Sequence, residues 1–186
     1  TLGSAASYAT GAGPQAVAIA DLNRNGKPDL VVANYNANTV SVLLGNGNGT
    51  YAPRVDYATG AGPDAVAIAD LDGNHQPDLV IANGEDNRVT VRLGNANGTF
   101  GIGTDFATGS GPVGVAVADL NADGDVNDTL LVVVTRASDG WVLFADTRGD
   151  GSLSDDRAVH DYLVARETFG WAPGGGTPFV NIAVNL

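Results

Sequence analysis

The sequence predicts an all-β protein made of repeated four-stranded units, and three observations carry that prediction. A 27-residue segment that begins at Tyr8 recurs at Tyr57 with 21 of 27 positions identical, and a third copy begins at Phe106. Glycine (26 of 186 residues) and proline (8) separate short apolar runs, as turns separate strands. Each unit contains four such runs, and the first two units are 49 residues long, which is the strand content and length of one β-propeller blade.

The four predicted strands of the first unit differ in composition. Ala16–Leu22 is rich in alanine and valine, which suits a crowded position near the axis of a propeller. Asp29–Ala33 is a continuous apolar run, as expected for a strand buried on both faces. Thr39–Leu44 partly alternates, and Arg54–Thr59 is more polar, which favours an outer position.

The repeats organise the whole chain as a single region, residues 1–186. We expect three full units at about 8–56, 57–105 and 106–164, with 165–186 forming the start of a fourth. The chain thus supplies three to three and a half blades, whereas propellers close with four to eight. It is either a partial propeller from a longer polypeptide or a unit that associates with other copies to close the ring. Unpaired sheet edges at both ends favour the first alternative.

Composition excludes several classes of function. The chain has 9 Lys+Arg against 21 Asp+Glu, a formal charge of −12, which disfavours nucleic acid as a partner. It has no cysteine, so disulfides and thiolate metal sites are absent. No apolar run approaches the length of a membrane span. No signal peptide is visible at Thr1, as in a mature, processed protein or an excised piece, and the expected location is secreted or at the cell surface.

Oxygen-bearing side chains recur in the turn between the first two strands of each unit. In the first unit they occupy loop positions 1, 3, 5 and 9, with Gly26 at position 6 to permit the sharp turn and a backbone carbonyl at position 7 as a further oxygen. The second unit has His75 in place of that glycine, and the third has a one-residue insertion near Asp128. The predicted ligands of the three loops are Asp21, Asn23, Asn25, Lys27 and Asp29; Asp70, Asp72, Asn74, Gln76 and Asp78; and Asp119, Asn121, Asp123, Asp125, Asn127 and Asp128.

This donor set predicts one calcium ion per loop, about three in all. Ca²⁺ takes six to eight oxygen ligands, and none of the loops contains a soft ligand that would favour zinc or copper. Aspartate, asparagine and glycine are also common turn formers, which is the alternative explanation for one loop alone. Three loops in register favour calcium. Three ions would change the formal charge from −12 to −6 and relieve repulsion between clustered carboxylates.

The motifs resemble those of a known repeat family. Phe100-Gly101, the Gly-x-Gly-Pro motif at 109–112 and the Ala-Asp-Leu-Asn sequence before an acidic loop are similar to the FG-GAP/VCBS repeat of the integrin α-subunit propeller. The resemblance covers residues 8–164 well. It implies a propeller fold with calcium in the inner-strand loop, and it is compatible with adhesion proteins, sugar-binding propellers and propellers attached to enzymes.

No catalytic centre is predicted. His75 is interpreted as a surface substitution in a metal loop, and His160, beside Asp161, lacks a convincing serine partner. The sequence has no nucleophile elbow or phosphate-binding loop. We expect a non-catalytic recognition module, acting in cell adhesion to an extracellular protein or in lectin-like binding of carbohydrate, with Trp141, Tyr162 and Trp171 as a candidate stacking surface. The alternative is an accessory propeller of a larger polysaccharide-acting enzyme.

Overall fold

The computed structural model of the chain describes residues 6–119, 129–135 and 141–145. Within these ranges the regular elements are β1 (Pro14–Ala20), β2 (Asp29–Asn34), a single 3-10 turn (Tyr35–Ala37), β3 (Thr39–Leu43), β4 (Val55–Ala58), β5 (Pro63–Ala69), β6 (Asp78–Asn83), β7 (Arg88–Arg92), β8 (Thr104–Ala107), β9 (Pro112–Asp119), β10 (Thr129–Thr135) and β11 (Trp141–Ala145). None of the described residues forms a helix with the length and apolar character needed to cross a membrane.

The strands form three antiparallel sheets, called blade one (β1–β4), blade two (β5–β8) and blade three (β9–β11). Strands that are adjacent in sequence pair side by side, so each sheet is a simple meander. The first strands of successive blades lie next to one another, with β1 against β5 and β5 against β9. The predicted all-β fold with four-stranded propeller blades is confirmed. The outer strand predicted for the third unit lies outside the described residues.

Blades one and two have the same pairing register. Val17 pairs with Val32 and Val40 with Tyr57 in blade one. The residues 49 positions later make the same pairs in blade two. The sequence repeat is therefore also a structural repeat, and a residue can be compared directly with its counterpart.

The first strand of blade one is displaced by two residues from its predicted position. Ala16–Leu22 was the predicted range, whereas β1 runs from Pro14 to Ala20. The strand ends there because the Asp21 carboxylate accepts hydrogen bonds from backbone N–H groups of the following loop. Those bonds turn the chain away from β2 before Leu22.

Blade three departs from the other two in its register. Ala20 pairs with Asp29, nine positions on, whereas its counterpart Ala118 pairs with Leu130, twelve positions on. The insertion in this unit is therefore three residues in the strand register, not the predicted one. Leu130 occupies the place that aspartate holds in the first two blades.

The main core lies between blades one and two. Its buried members come from both sheets and are Leu22, Val31, Ala33, Val40, Val42, Leu79, Ile81 and Phe100. A second cluster of Leu71, Val80 and Val89 packs against Val115 and Val117 of blade three. Burial of such side chains contributes roughly 1.5–3 kcal/mol each, so face-to-face packing of blades is the principal stabilising interaction.

The opposite face of blade one is open. Val17 and Ile19 of β1 are 60% and 65% exposed. Their counterparts Val66 and Ile68 pack against the main core. The difference arises because blade one covers the face of blade two that carries Val66 and Ile68, and no described sheet covers the matching face of blade one.

Candidate metal centres

Three carboxylates of blade two meet in the loop between β5 and β6. Asp70 directly follows β5, Asp72 lies two residues further, and Asp78 begins β6. One oxygen from each lies within 4.8 Å of the other two. Oxygens on opposite sides of one calcium ion are about 5 Å apart, since each lies 2.3–2.6 Å from the ion. The spacing of this cluster, called the blade-two centre, is therefore suitable for a single cation.

The turn around Asp70 is shaped by hydrogen bonds to its carboxylate. Oδ1 accepts from the Gly73 N–H at 2.9 Å and Oδ2 from the His75 N–H at 2.7 Å. The His75 Nδ1 atom lies 3.5 Å from the same Oδ2, and most of its side chain is exposed. Asp70 thus closes the loop upon itself, and His75 takes part mainly through its backbone.

Alternate residues continue this pattern along the loop. Asp72 Oδ1 accepts from the Asn74 N–H at 3.2 Å, and Asn74 Oδ1 accepts from the Gln76 N–H at 2.6 Å. The Oε1 atom of Gln76 is buried and has no hydrogen-bond partner among the described residues. An unpaired buried oxygen normally costs free energy, so its presence in this loop is compatible with a cation as its partner.

Asp78 is fully buried and connects two separate parts of blade two. Its Oδ2 accepts from the Leu71 N–H and its Oδ1 from the Gly94 N–H, both at 2.7 Å. Burial, together with the smaller effect of the Asp72 and Asp70 charges, raises the pKa of this carboxyl to about 6, although the two backbone hydrogen bonds partly oppose the increase. A nearby cation would favour the charged form.

The loop of blade one has the same plan. Asp21 accepts from the Asn25 N–H at 3.0 Å and from the Gly26 N–H at 2.6 Å. Asn23 Oδ1 accepts from the Asn25 N–H at 3.2 Å, and Asn25 Oδ1 from the Lys27 N–H at 2.9 Å. The side-chain oxygens at positions 1, 3 and 5 therefore hold the same local turn in both blades.

Asp29 is the counterpart of Asp78. It is fully buried, and it accepts hydrogen bonds from the Leu22 N–H at 2.9 Å and the Gly45 N–H at 2.6 Å. Blade one supplies two carboxylates to its centre, Asp21 and Asp29, against three in blade two. We expect weaker cation binding there, since calcium affinity rises with the charge of the ligand set.

Sequence reasoning missed Gly45 and Gly94, which position these buried aspartates. A Cβ atom on Gly94 would collide with the Pro77 carbonyl oxygen, and one on Gly45 with that of Pro28. A residue with a Cβ atom could not place its N–H within hydrogen-bond distance of the buried aspartate, because it would first collide with the proline carbonyl. The signal in the sequence was their recurrence at the 49-residue period, but their contact with the loop depends on strand pairing.

Both loops contain two residues in the left-handed backbone region, at positions 4 and 6. In blade one these are Arg24 (φ 57°) and Gly26 (φ 78°); in blade two they are Gly73 (φ 73°) and His75 (φ 61°). Glycine therefore occupies one of the two positions in each loop, but not the same one. The substitution at His75 leaves the turn geometry intact.

The third loop remains a prediction. Asp119 is the last residue of β9, and the other predicted ligands of this unit, Asn121, Asp123, Asp125, Asn127 and Asp128, lie outside the described residues. The backbone carbonyls of Lys27 and Gln76 also remain predicted ligands. Among the described residues the structure brings Asp70, Asp72 and Asp78 together as a cluster of carboxylates.

The donor set fits a hard divalent cation. Three carboxylates form the cluster in blade two, and the same loop contains the unpaired Gln76 oxygen. Asp70, Asp72 and Asp78 would hold the ion in blade two. When bound, calcium supplies positive charge that offsets repulsion among these carboxylates.

Comparison with known proteins adds a family match. The FG-GAP-like repeat matches residues 21–81 and 75–127, which together make up more than half of the chain and include all the predicted metal ligands except Asp128. No curated protein matches. Among solved structures the chain is similar to one described as the crystal structure of BBS1N in complex with ARL6DN, soaked with lead, with 16% identity and a TM-score of 0.35 over 78% of this chain. The chain spans 57% of the length of that solved chain.

Proposed function

Because this chain belongs to the FG-GAP-like repeat family, we propose that it is a calcium-binding propeller segment of a secreted recognition protein. The observation that carries the proposal is the blade-two centre, in which oxygens of Asp70, Asp72 and Asp78 lie within 4.8 Å of one another. Blade one repeats its loop plan with two carboxylates, and the third unit repeats it in sequence.

The proposed role of calcium is to brace the inner loops. Without a cation, three carboxylates repel one another, and the raised pKa of Asp78 reflects burial together with that repulsion. An ion bound to the loop would join the end of β5 to the start of β6. Sites with two or three carboxylates are suited to the high calcium concentration outside cells, where affinities in the micromolar-to-millimolar range suffice.

Recognition is the proposed activity of the assembled blades, by adhesion to an extracellular protein or by binding carbohydrate. Repeated blades present repeated surfaces, and weak contacts gain strength when several engage at once. The remaining blades would come from a longer chain or from further copies. The second candidate is an accessory, non-catalytic propeller of a polysaccharide-acting enzyme, which is also compatible with the family.

Thermal unfolding tests the calcium proposal. We expect the melting temperature to be several degrees higher in 5 mM calcium than in a chelator, and magnesium to have a smaller effect because its octahedral coordination suits this loop less well. Asp72→Asn, which removes an exposed carboxylate of the centre, should reduce the calcium-dependent increase. Identical melting curves with calcium and with chelator would contradict the proposal.

A glycan array, run with calcium and with chelator, tests the recognition proposal. Calcium-dependent binding to particular glycans would support a lectin-like module. Absence of binding to any glycan, together with a catalytic domain encoded in the same gene, would contradict lectin-like recognition and favour the accessory propeller. Because this assay measures ligand binding and the melting curves measure metal binding, the two parts of the proposal can fail separately.

A further inference from the structure

Two aromatic clefts lie beside the described blades, and the first is between blades one and two. There Tyr57 of β4 and Phe100 of the β7–β8 hairpin make an edge-to-face contact with ring centroids 5.6 Å apart and an interplanar angle of 89°. Residues 49 positions earlier, Tyr8 and Tyr51, make the same contact at 5.1 Å and 81°. We call these the blade-two cleft and the blade-one cleft.

A guanidinium group fills the blade-two cleft. The Cζ atom of Arg92 lies 5.5 Å from the centroid of the Tyr57 ring, within the range of a cation–π interaction. Nε and Nη2 donate to the Ala58 carbonyl at 3.2 and 2.6 Å, and Nη1 donates to the Gly101 carbonyl. One ring and two backbone carbonyls thus form a complete binding site for an arginine side chain.

The blade-one cleft has a similar aromatic pair but no arginine at the position equivalent to Arg92. The counterpart of Arg92 is Leu43, which is 2% exposed, carries no charge and forms part of the wall. The counterparts of Ala58 and Gly101 are Ala9 and Ala52. Both line a cavity of about 430 Å³. Tyr8 and Tyr51 line the same cavity, so the residues equivalent to those around the Arg92 guanidinium surround a cavity in blade one.

We propose that the blade-one cleft binds a guanidinium group, the side chain of an arginine that this chain does not itself supply there. The formal charge of −12 favours the approach of a cation over that of an anion. The charge of Arg54 at the rim is compensated, because its Nε lies 3.0–3.1 Å from the Asp56 carboxylate oxygens. The ligand is either free arginine or an arginine presented by a protein partner.

Arg54 is the competing occupant. Its counterpart in blade two is Gly103, beside which the Arg92 guanidinium lies, so the two blades differ at both positions. The bond from Arg54 Nε to Asp56 holds the Arg54 side chain on its own strand. If Arg54 instead filled the cleft in solution, an added arginine would find no site until Arg54 was removed.

Backbone amide NMR of the full chain tests the proposal, with Nα-acetyl-L-arginine amide as the probe. We expect saturable shifts at Tyr8 and Ala52, and none with the neutral isostere Nα-acetyl-L-citrulline amide. Free L-arginine and the blocked peptide Gly-Arg-Gly distinguish the two sources: similar affinity indicates that the guanidinium suffices, and tighter binding of the peptide indicates a protein partner. The proposal would be overturned if the arginine probe shifted only amide signals outside the cleft, or if the citrulline probe produced equal shifts.

Reciprocal substitutions provide the matched controls. Leu43→Arg should fill the cleft and abolish binding, and Arg92→Leu should create a second site at Tyr57. Tyr8→Leu, which removes the ring and keeps the carbonyls, should weaken binding about two- to five-fold, the range of an exposed cation–π contact. If the arginine probe binds the Arg54→Gly variant but not the unchanged chain, Arg54 itself occupies the cleft and the proposal is overturned.

Discussion

The Asp78 carboxylate accepts a hydrogen bond from the backbone N–H of Gly94, 2.7 Å away and sixteen residues later in the chain. The same carboxylate accepts from the Leu71 N–H on its own loop. One buried side chain therefore joins the candidate metal loop to the hairpin that follows β7. Asp29 and Gly45 make the corresponding connection in blade one.

Gly94→Ala should destabilise the chain strongly. The added methyl group would collide with the Pro77 carbonyl oxygen. The backbone would have to move to relieve this clash, and that movement would separate the Gly94 N–H from Asp78. We expect the free energy of unfolding in urea to fall by about 2 kcal/mol or more, as for an overpacked site that also loses a buried hydrogen bond. Gly101→Ala is the control, since its methyl group would only come within 3.6 Å of the Leu93 carbonyl oxygen; an equal loss in both variants would contradict this explanation.

Asp78 should give the calcium-free protein a distinctive dependence on pH. Because its pKa is raised from 3.8 to about 6 in the folded state, the folded chain binds this proton more tightly than the unfolded chain does. The contribution of Asp78 to stability is therefore greatest below pH 4 and is lost as pH rises through 6, by an amount on the order of 3 kcal/mol.

Urea unfolding of the chain and of Asp78→Asn in chelator, at intervals from pH 4 to 7, measures this effect. The asparagine variant does not titrate at this position, so subtracting its curve removes the contribution of the other carboxylates. We expect the difference in unfolding free energy, unchanged chain minus variant, to decrease as pH rises. A difference that stays constant or increases over this range would contradict the raised pKa.

Two isoleucines at equivalent positions of the repeat, Ile19 and Ile68, should contribute differently to the free energy of unfolding. Ile68 packs against the core between blades one and two, whereas Ile19 is 65% exposed. Ile68→Ala should lower the free energy of unfolding by about 2 kcal/mol, the lower end of the ~2–5 kcal/mol range for core truncations because Ile68 is partly buried, and Ile19→Ala by less than ~1 kcal/mol. Chemical denaturation of both variants at one protein concentration tests this, and similar losses would show that the open face of blade one is covered in solution.

His75→Gly should stabilise the second loop. The φ of +61° at His75 is unfavourable for a residue with a Cβ atom. Among the described residues, the contact that could offset this strain is the approach of the exposed ring to Asp70. We expect a gain on the order of 1 kcal/mol in unfolding free energy in chelator. Gly26→Ala in blade one is the converse substitution and should cost a similar amount; a loss of stability in His75→Gly would contradict the interpretation.

The repeat made most of the fold predictable. The period of 49 residues located every strand of blade one to within two residues, because turns and apolar runs are local features of the chain. The end of the first strand was missed, since it depends on hydrogen bonds to Asp21 that the strand pattern does not encode. The insertion in blade three was underestimated because Leu130, not Asp128, continues the pairing register.

The candidate metal ligands were predictable for the same reason, since positions 1, 3, 5 and 9 lie in one local loop. Contacts between separate parts of the chain could not be predicted from the sequence. Gly94 reaches Asp78 through strand pairing, and Arg92 reaches Ala58 across the interface between two blades. The open face at Val17 and Ile19 was likewise invisible, because composition does not show which of two similar strands has a covering neighbour.

The number of calcium ions bound per chain, measured by equilibrium dialysis at millimolar free calcium followed by elemental analysis, tests the central claim most directly. We predict three ions for the unchanged chain and two for a variant with both Asp70→Asn and Asp72→Asn, which leaves the loops of the other two units intact. No bound calcium, or the same number of ions in the chain and the variant, would contradict the assignment of these loops as metal centres.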